Sequence, residues 1–188
     1  MGVGVSRDSY FEAGIDILSD LGYGGLKLAE VCQRLGVTTG SFYHYFTSWS
    51  SYTRALVDNW VQVKTTQIID AARAESDPRR RIGTLVEEAL ALPHGAEAAI
   101  RVWSSIDPTV GEVQRTVDQQ RFDIMKESAL EILTSDRQAH VFAIAAIYLL
   151  TGYEQTSLPR DFGDLRWLAD QLLDGLDSGM FGTVPDHS

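Results

Sequence analysis

The sequence predicts an all-α fold. Hydrophobic residues recur every three or four positions along most of the chain, which is the period of a helix with one buried face. No run of residues shows the strict alternation of a β-strand. Glycine and proline interrupt the helical pattern repeatedly and predict about nine helices in 188 residues. Because 44% of the residues are hydrophobic, the chain has enough apolar surface for a continuous core.

The first predicted helix covers residues Ser6 to Leu21. Ser6 is a suitable residue for the N-terminal cap, because its hydroxyl can accept a bond from a backbone N–H of the first turn. The glycines of Tyr23-Gly24-Gly25 form the connection to the next helix. One apolar stripe runs along the helix, formed by Tyr10, Ala13, Ile17 and Leu21.

Residues Leu28 to Phe46 predict a helix-turn-helix. A short helix ends at Gly36, since glycine just past the last apolar residue permits a left-handed turn. A second helix follows at once, capped by Thr38 or Thr39. A helix, a glycine-containing turn and a helix together are typical of this motif. The buried stripe of the first helix consists of Leu28, Val31, Cys32 and Leu35.

The second of these helices has a surface suited to nucleic acid. Phe42 and Phe46 lie on one face, and no Asp or Glu occurs between Gln33 and Arg54. A helix held in this way can enter the major groove of DNA, where hydroxyl and imidazole groups contact bases and phosphates. A simple corner between two helices has the same pattern. The residues left on the other faces are Thr39, Ser41, Tyr43, His44 and Tyr45.

Residues 6 to 60 resemble the DNA-binding region of TetR-family transcriptional regulators. In that family a helix with the pattern A..L....G precedes a segment like IA...GV..G.LY.HF, and a long helix follows. The matching positions here are Ala13, Ile17 and Gly22, then Val31-Cys32, Gly36-Val37, Gly40, Phe42-Tyr43 and Tyr45-Phe46. The resemblance implies a recognition helix from about Thr38 to Tyr45.

The resemblance also implies which residues contact DNA. We expect groove and phosphate contacts from six residues, and two positions depart from the family pattern. Trp49 stands where the family usually has a lysine, and Lys27 stands where it usually has a hydroxyl residue. Lys27 supplies a positive charge near the lost lysine. The expected DNA-binding residues are Lys27, Thr38, Thr39, Ser41, Tyr43 and His44.

The remainder of the chain continues as helices. A long helix capped by Thr47-Ser48 is predicted to reach about Glu75, and Asp77-Pro78 starts the next one. Further helices are predicted over residues 79–92, 96–105, 109–133, 138–153 and from 162 to about 176. We therefore expect a three-helix DNA-binding head at residues 1–47 and a larger helical ligand-binding and dimerisation domain at residues 48–188.

The last two predicted helices are unusually apolar. Residues 138–153 are apolar on nearly every side, and Phe162 begins a wide apolar stripe that ends at Leu176. By resemblance, these helices pair with their counterparts in a second copy to form a four-helix bundle. An intrachain core is the alternative. A twofold dimer places its two recognition helices about 34–36 Å apart, which suits a palindromic DNA site.

A small-molecule pocket is expected between the head and the dimer helices. Large side chains on several helices can surround one cavity, and bundles often bind ligands in this way. The same side chains also suit an ordinary core. The expected lining residues are Trp60, Trp103, Ile106, Phe122, Met125 and Tyr148, with Arg101, Gln119 and Tyr153 as polar contacts.

Charge distribution is the main argument against DNA binding. The net charge is -10, and nucleic-acid partners favour basic surfaces. Residues 1–64 are nearly balanced, with five Lys and Arg against six Asp and Glu, so most of the negative charge lies in the remaining residues, which contain 11 against 20.

The sequence predicts a ligand-responsive regulator, with repression as the expected role. The alternative is a helical dimer that binds a ligand or protein and has lost specific DNA binding.

Motifs for catalysis and metal binding are missing from the sequence. There is no phosphate-binding loop, no GxSxG and no CxxC, and the four histidines lack metal-ligand spacing. We expect neither an enzyme nor a cofactor or metal site. A single cysteine is consistent with the reducing cytoplasm. The longest apolar stretch, residues 141–152, is too short to span a membrane.

Overall fold

The computed structural model describes residues 5–185, and every regular element in this range is helical. The predicted all-α fold is confirmed. Helix α4 consists of three consecutive segments, which are Trp49–Val61, a π-helical turn over Gln62–Thr66, and Gln67–Arg73. The other helices are α1 Arg7–Leu21, α2 Leu28–Leu35, α3 Thr39–Tyr45, α5 Pro78–Leu90, α6 His94–Ser104, α7 Pro108–Leu130, α8 Asp136–Gln155 and α9 Phe162–Asp177.

The predicted helix ends agree with the hydrogen bonds at the caps. The hydroxyl of Ser6 accepts from the Ser9 N–H at 3.2 Å, and Asp77 accepts from the Arg80 N–H at 2.8 Å. Gly36 ends α2 with φ of 66°, a left-handed conformation that glycine adopts without steric cost. The π-helical turn within α4 was not predicted, because periodicity does not register one extra residue in a turn.

Two compact units make up the described chain. Unit 1 contains residues 5–63 and 93–114, and unit 2 contains residues 64–92 and 115–185. These units group residues by packing, whereas the predicted boundary at residues 47 and 48 groups them by function. That boundary stays a prediction. No helix in the range 5–185 combines the length and apolar character needed to cross a membrane.

Unit 1 has a core of aromatic rings from α1, α3 and α4. Phe42 is fully buried, and its ring centroid lies 5.4 Å from that of Tyr52 and 5.7 Å from that of Tyr10. The rings meet edge to face, which is a favoured aromatic geometry. Trp49 joins this cluster, with its ring 5.0 Å from Tyr52. Trp49 is therefore a packing residue of unit 1.

Helix α6 packs closely on α1 in the same unit. A Cβ atom at Gly95 would lie 2.7 Å from the backbone oxygen of Ser19, so the two backbones approach too closely for any side chain. A buried hydrogen bond joins α6 to α4, in which the indole N–H of Trp60 donates to the carboxylate of Glu97 at 2.6 Å. The ring of Tyr23 also stacks on a tryptophan of α6, Trp103, at 5.0 Å.

Unit 2 has a mainly aliphatic core. Buried residues of α4, α5, α7, α8 and α9 form one cluster, and the aromatic residues Phe142 and Phe181 meet edge to face within it at 5.2 Å. Ion pairs lie on its surface, including Arg166 with Glu87 at 2.9 Å and Arg81 with Glu131 at 2.6 Å. The aliphatic members of the cluster include Ile69, Ile82, Leu85, Leu90, Ile124, Leu133 and Leu165.

Candidate functional sites

The surface of α3 is held by bonds at its start and by the aromatic cluster beneath it. Thr38 is the N-cap, and its hydroxyl accepts from the Ser41 N–H at 3.2 Å. Phe42 and Phe46 are buried. This anchoring leaves the exposed residues of α3 on a fixed backbone, which suits a helix that must fit a groove.

Five of the six expected DNA-binding residues are exposed. Tyr43 has 53% of its surface exposed, and Thr38, Thr39 and His44 are exposed beside it on the same short helix. Lys27 is exposed at the N-cap position of α2. These side chains are therefore available to a partner.

Ser41 differs from the other five. It is half-buried, and its hydroxyl lies 3.4 Å from that of Tyr10 in α1. This contact turns Ser41 partly toward the head core. A contact from Ser41 to DNA stays a prediction.

Arg7 is a further cation near the surface of α3. It is exposed at the start of α1, and its guanidinium lies 5.0 Å from the ring centroid of Phe46. The hydroxyl of Tyr45 donates to the carbonyl of Val5, so the start of α1 lies beside the end of α3. Only the three-dimensional structure shows this neighbourhood, since the residues are about 40 positions apart in sequence.

Three other ionisable groups of unit 1 are paired or buried, namely Arg34, Tyr52 and Cys32. Arg34 donates to Asp20 at 2.8 Å, and this bond raises the pKa of Arg34 above its usual value. Burial raises the pKa of the Tyr52 phenol and of the Cys32 thiol. Tyr52 donates to the backbone oxygen of Tyr10 at 2.8 Å. Arg34 therefore offers less charge to a phosphate than Lys27 and Arg7 do.

A cavity of about 90 Å³ lies inside unit 2. One water molecule needs roughly 10–15 Å³ on the same measure, so the cavity is large enough for a small ligand. Four residues of the lining are polar or charged, namely Lys64, Thr65, Glu88 and Arg121. The rest of the lining is apolar and includes Ile68, Ile69, Leu85, Val86, Leu90, Ile124, Met125, Ile147, Leu150, Leu165 and Leu172.

The residues expected to line a pocket are not all brought together. Met125 lines the cavity of unit 2, and Phe122, one turn earlier in α7, contacts the ring of His140 at 5.3 Å instead. Tyr148 is 68% exposed on α8.

The remaining three lie in unit 1. Trp60 is buried against Glu97, Trp103 stacks on Tyr23, and Ile106 is 65% exposed. Trp103 also lines a second, more polar cavity, which lies in unit 1 and also has a volume of about 90 Å³. Of the expected polar contacts, Gln119 donates to Asp123 at 2.8 Å on the exposed side of α7. Periodicity identified large residues on helices but not the face that borders a cavity.

Residues 11–49 match the model of the bacterial regulatory proteins of the tetR family. This segment is of the tetR-family type. It contains most of α1, all of α2 and α3, and the first residue of α4. The resemblance seen in the sequence is thereby confirmed. A comparison with curated protein sequences gave no match.

Solved structures of transcriptional regulators resemble the chain over almost its whole length. A transcriptional regulator of Rhodococcus sp. Rha1 has a TM-score of 0.68 at 17% identity, with 96% of each chain covered. A TetR regulator of Haloarcula marismortui has a TM-score of 0.68 at 16% identity, covering 90% of this chain and 96% of its own.

The regulator FadR of Bacillus subtilis, in complex with stearoyl-CoA, has a TM-score of 0.64 at 12% identity, covering 93% of this chain and 99% of its own. At these identities the three likenesses show a shared fold. The shared fold thus extends beyond residues 11–49, and these neighbours are regulators of transcription.

Within residues 5–185, no group of three or more His, Cys, Asp or Glu side chains is placed to hold a metal ion. The arrangement instead offers two kinds of binding. The α3 surface presents hydroxyl, imidazole and phenol groups, while the cavity of unit 2 presents an apolar lining with a few polar groups.

Proposed function

We propose that this TetR-family protein is a ligand-responsive repressor that binds a palindromic operator as a homodimer. The observation that carries the proposal is the exposed surface of α3, which is free of carboxylates and lies within a TetR-type helix-turn-helix. Its groove and phosphate contacts come from Thr39, Ser41, Tyr43 and His44, with help from Lys27 and Thr38 at the DNA backbone.

Arg7 extends this proposed surface. Its guanidinium lies beside Phe46 at the edge of α3, on the side where α1 begins. A cation in that position supplies a phosphate contact that the lysine missing at Trp49 would otherwise provide. Phosphate contacts are independent of DNA sequence, so Arg7 contributes to affinity rather than to sequence preference.

The proposed dimer forms through α8 and α9. Large apolar side chains are exposed on these helices of unit 2, including Tyr148, Trp167 at 60% and Leu168 at 44%. Exposed apolar patches of this kind mark protein interfaces. Trp167→Glu should therefore turn the dimer into a monomer in sedimentation velocity, whereas Gln120→Glu on exposed α7 adds the same charge and should leave the dimer intact. A Trp167→Glu protein that is folded and still dimeric would contradict this interface.

The proposed response to ligand is a shift between two conformations. A homodimer that reads one face of DNA needs its recognition helices about 34–36 Å apart. A small molecule in the cavity of unit 2 releases DNA if it binds better to a conformation with another spacing. The cavity supports this role because it is apolar, contains a few polar groups and lies outside the DNA-binding segment.

The test is a titration of the purified protein with the DNA upstream of its own gene, at low and moderate salt. We expect selective binding that weakens steeply with salt, since phosphate contacts release counterions. Tyr43→Ala should weaken binding to all sequences, and Thr39→Ala should change the sequence preference. Arg7→Gln should reduce the salt dependence by about one counterion, and Arg73→Gln is the matched control with the same charge change.

A second candidate function is a ligand-binding dimer that no longer reads DNA. The net charge of -10 and the ion pair between Arg34 and Asp20 favour it. A folded dimer that binds no duplex selectively, at the natural upstream region or in a random-sequence selection, would establish this alternative. Unchanged DNA affinity in both the Tyr43 and Thr39 variants would show that another surface binds DNA.

A further inference from the structure

One buried hydroxyl lines the cavity of unit 2. Thr65 is only 1% exposed, and it lies in the π-helical turn of α4, a kind of turn that occurs frequently at functional sites. Its oxygen accepts a hydrogen bond from Arg121 Nη2 at 3.3 Å. Within residues 5–185, the Thr65 hydroxyl donates to no acceptor. The proton of this hydroxyl is therefore available to a group inside the cavity.

A second buried hydroxyl of unit 2 shows the usual arrangement. Ser128 is fully buried in α7, and its hydroxyl donates to the backbone oxygen of Ile124 at 2.7 Å. Buried polar groups are normally hydrogen-bonded, because a buried donor without an acceptor costs free energy. An atom that accepts from Thr65 removes this cost. The cavity therefore favours a ligand with a hydrogen-bond acceptor.

Arg121 is engaged with the protein itself. Its Nη2 atom donates to the backbone oxygen of Lys64 as well as to the Thr65 hydroxyl, both at 3.3 Å. Arg121 also makes a further interaction within the chain. The guanidinium thus holds the π-helical turn of α4 against α7, and its charge does not require an anionic ligand.

The other two charged residues of the lining do not require a counter-charge in the cavity. Glu88 is exposed, so its carboxylate is solvated. Lys64 is half-buried, and a lysine in this situation covers apolar surface with its methylenes while its ammonium stays in water. An ionised ligand head would lose its hydration on entering the apolar lining without a dedicated partner. The cavity therefore favours an uncharged ligand.

The rest of the lining selects for an aliphatic body. Its members are all leucine, isoleucine, valine, alanine or methionine, so the described lining offers no ring on which an aromatic ligand could stack. At roughly 10–15 Å³ for one water molecule, a volume of about 90 Å³ corresponds to roughly six to nine non-hydrogen atoms. This size suits a short aliphatic chain.

We infer that the effector is a small, uncharged aliphatic molecule with one accepting oxygen, as in a ketone or an ester, and that the Thr65 hydroxyl donates to that oxygen. A carbonyl oxygen fits because it accepts without adding a donor that would need its own partner. The inference rests on the proposed function, in which this cavity holds the effector.

The experiment measures the binding of small probes to the full-length protein by NMR titration, without DNA. Heptan-2-one is the neutral carbonyl probe, and hexane is the probe without an acceptor. Hexanoate and heptylammonium match heptan-2-one in size but carry a negative and a positive charge. Heptan-2-one should bind at least about tenfold more tightly than either ion, because the lining does not compensate a buried charge.

Variants of Thr65 test the proposed hydrogen bond. Thr65→Val keeps the shape of the side chain without its hydroxyl, and should lose about twofold to tenfold in affinity for heptan-2-one while binding hexane unchanged. Thr65→Ser retains the hydroxyl and should retain the preference for heptan-2-one over hexane. Thr84→Val, the same change at an exposed position of α5, should alter neither affinity.

An ion that binds as tightly as heptan-2-one would overturn the inference, as would a protein that binds none of the probes. Unchanged affinity for heptan-2-one in Thr65→Val would overturn the role of Thr65. Because no DNA is present, these results are separate from the operator titration. A protein that binds heptan-2-one but no operator would contradict the proposed repressor and support the ligand class, and the reverse result would do the opposite.

Discussion

The interiors of the two units differ in what fills them. In unit 1, rings from α1, α3 and α4 surround Phe42, and several centroid distances are between 5.0 and 5.7 Å. In unit 2, aliphatic side chains leave a cavity of about 90 Å³. Close packing holds a binding surface in one geometry, while unfilled apolar space is available to a ligand. Unit 1 also has a cavity of about 90 Å³, but six of its ten lining residues are polar. The comparison therefore separates the ring-packed support of α3 from the apolar cavity of unit 2.

The largest expected effect comes from removing a ring of unit 1. Phe42→Ala deletes a fully buried ring and should lower the free energy of unfolding by about 3–5 kcal/mol. Phe122→Ala is the matched change in unit 2, where the ring is half-buried, and should cost less than half as much. Urea denaturation measures both, and equal losses would contradict the difference between the two interiors.

The second-largest expected effect comes from adding one methyl group, which should destabilise the protein in unit 1 but not in unit 2. Gly95→Ala in unit 1 places a Cβ 2.7 Å from the Ser19 backbone oxygen and should cost about 1–3 kcal/mol. Gly83→Ala in α5 of unit 2 meets no atom within 4 Å and should stabilise by up to about 1 kcal/mol. Thermal unfolding of both variants measures this contrast. A neutral Gly95→Ala would mean that α6 can move away from α1.

Filling the cavity should be tolerated. Ala146→Leu adds apolar atoms to the lining of the unit 2 cavity and should change the free energy of unfolding by less than about 1 kcal/mol. Gly14→Ala is the contrasting case in unit 1, because its Cβ would lie 2.8 Å from Leu56 Cδ2. Equal destabilisation by the two changes would show that the cavity has no usable room.

The smallest effect concerns a surface ion pair of unit 2. The bond from Arg166 lowers the pKa of Glu87 below its ordinary value of 4.5. The pair thus stabilises the fold above about pH 4.5, and this contribution is lost as the pH falls through the lowered pKa of the folded state. Glu87→Gln should remove this pH dependence and shift Tm by about 1 °C or less, because exposed pairs are screened. A pH profile of Tm that is unchanged in this variant would contradict a contribution from the pair.

Local signals explain why the helices were predictable. Caps such as Ser6 and Asp77 bond within their own first turn, and Gly36 needs a left-handed backbone where α2 ends. These interactions join residues that are close in sequence. The exposed positions of α3 were predictable for the same reason, since a buried Phe42 determines which neighbours face outward.

Long-range contacts explain what was not predicted. Arg7 lies beside α3 only because α1 packs against Phe46, and Arg121 reaches the π-helical turn from more than 50 residues away. Met125 borders the cavity, whereas Trp60 of the same predicted pocket is buried against Glu97. Ser41 contacts Tyr10 although its helical position is compatible with an outward direction.

The sequence by itself determined the all-α class and the helix-turn-helix, because these depend on hydrophobic period, capping and glycine positions within short stretches. The TetR character of the helix-turn-helix came from its resemblance to that family. Tertiary structure decided where the cavity lies, which cations border it and which charged residue joins the surface of α3. Those outcomes depend on which faces of distant helices pack together, and the residue types of one helix do not specify the face of its partner.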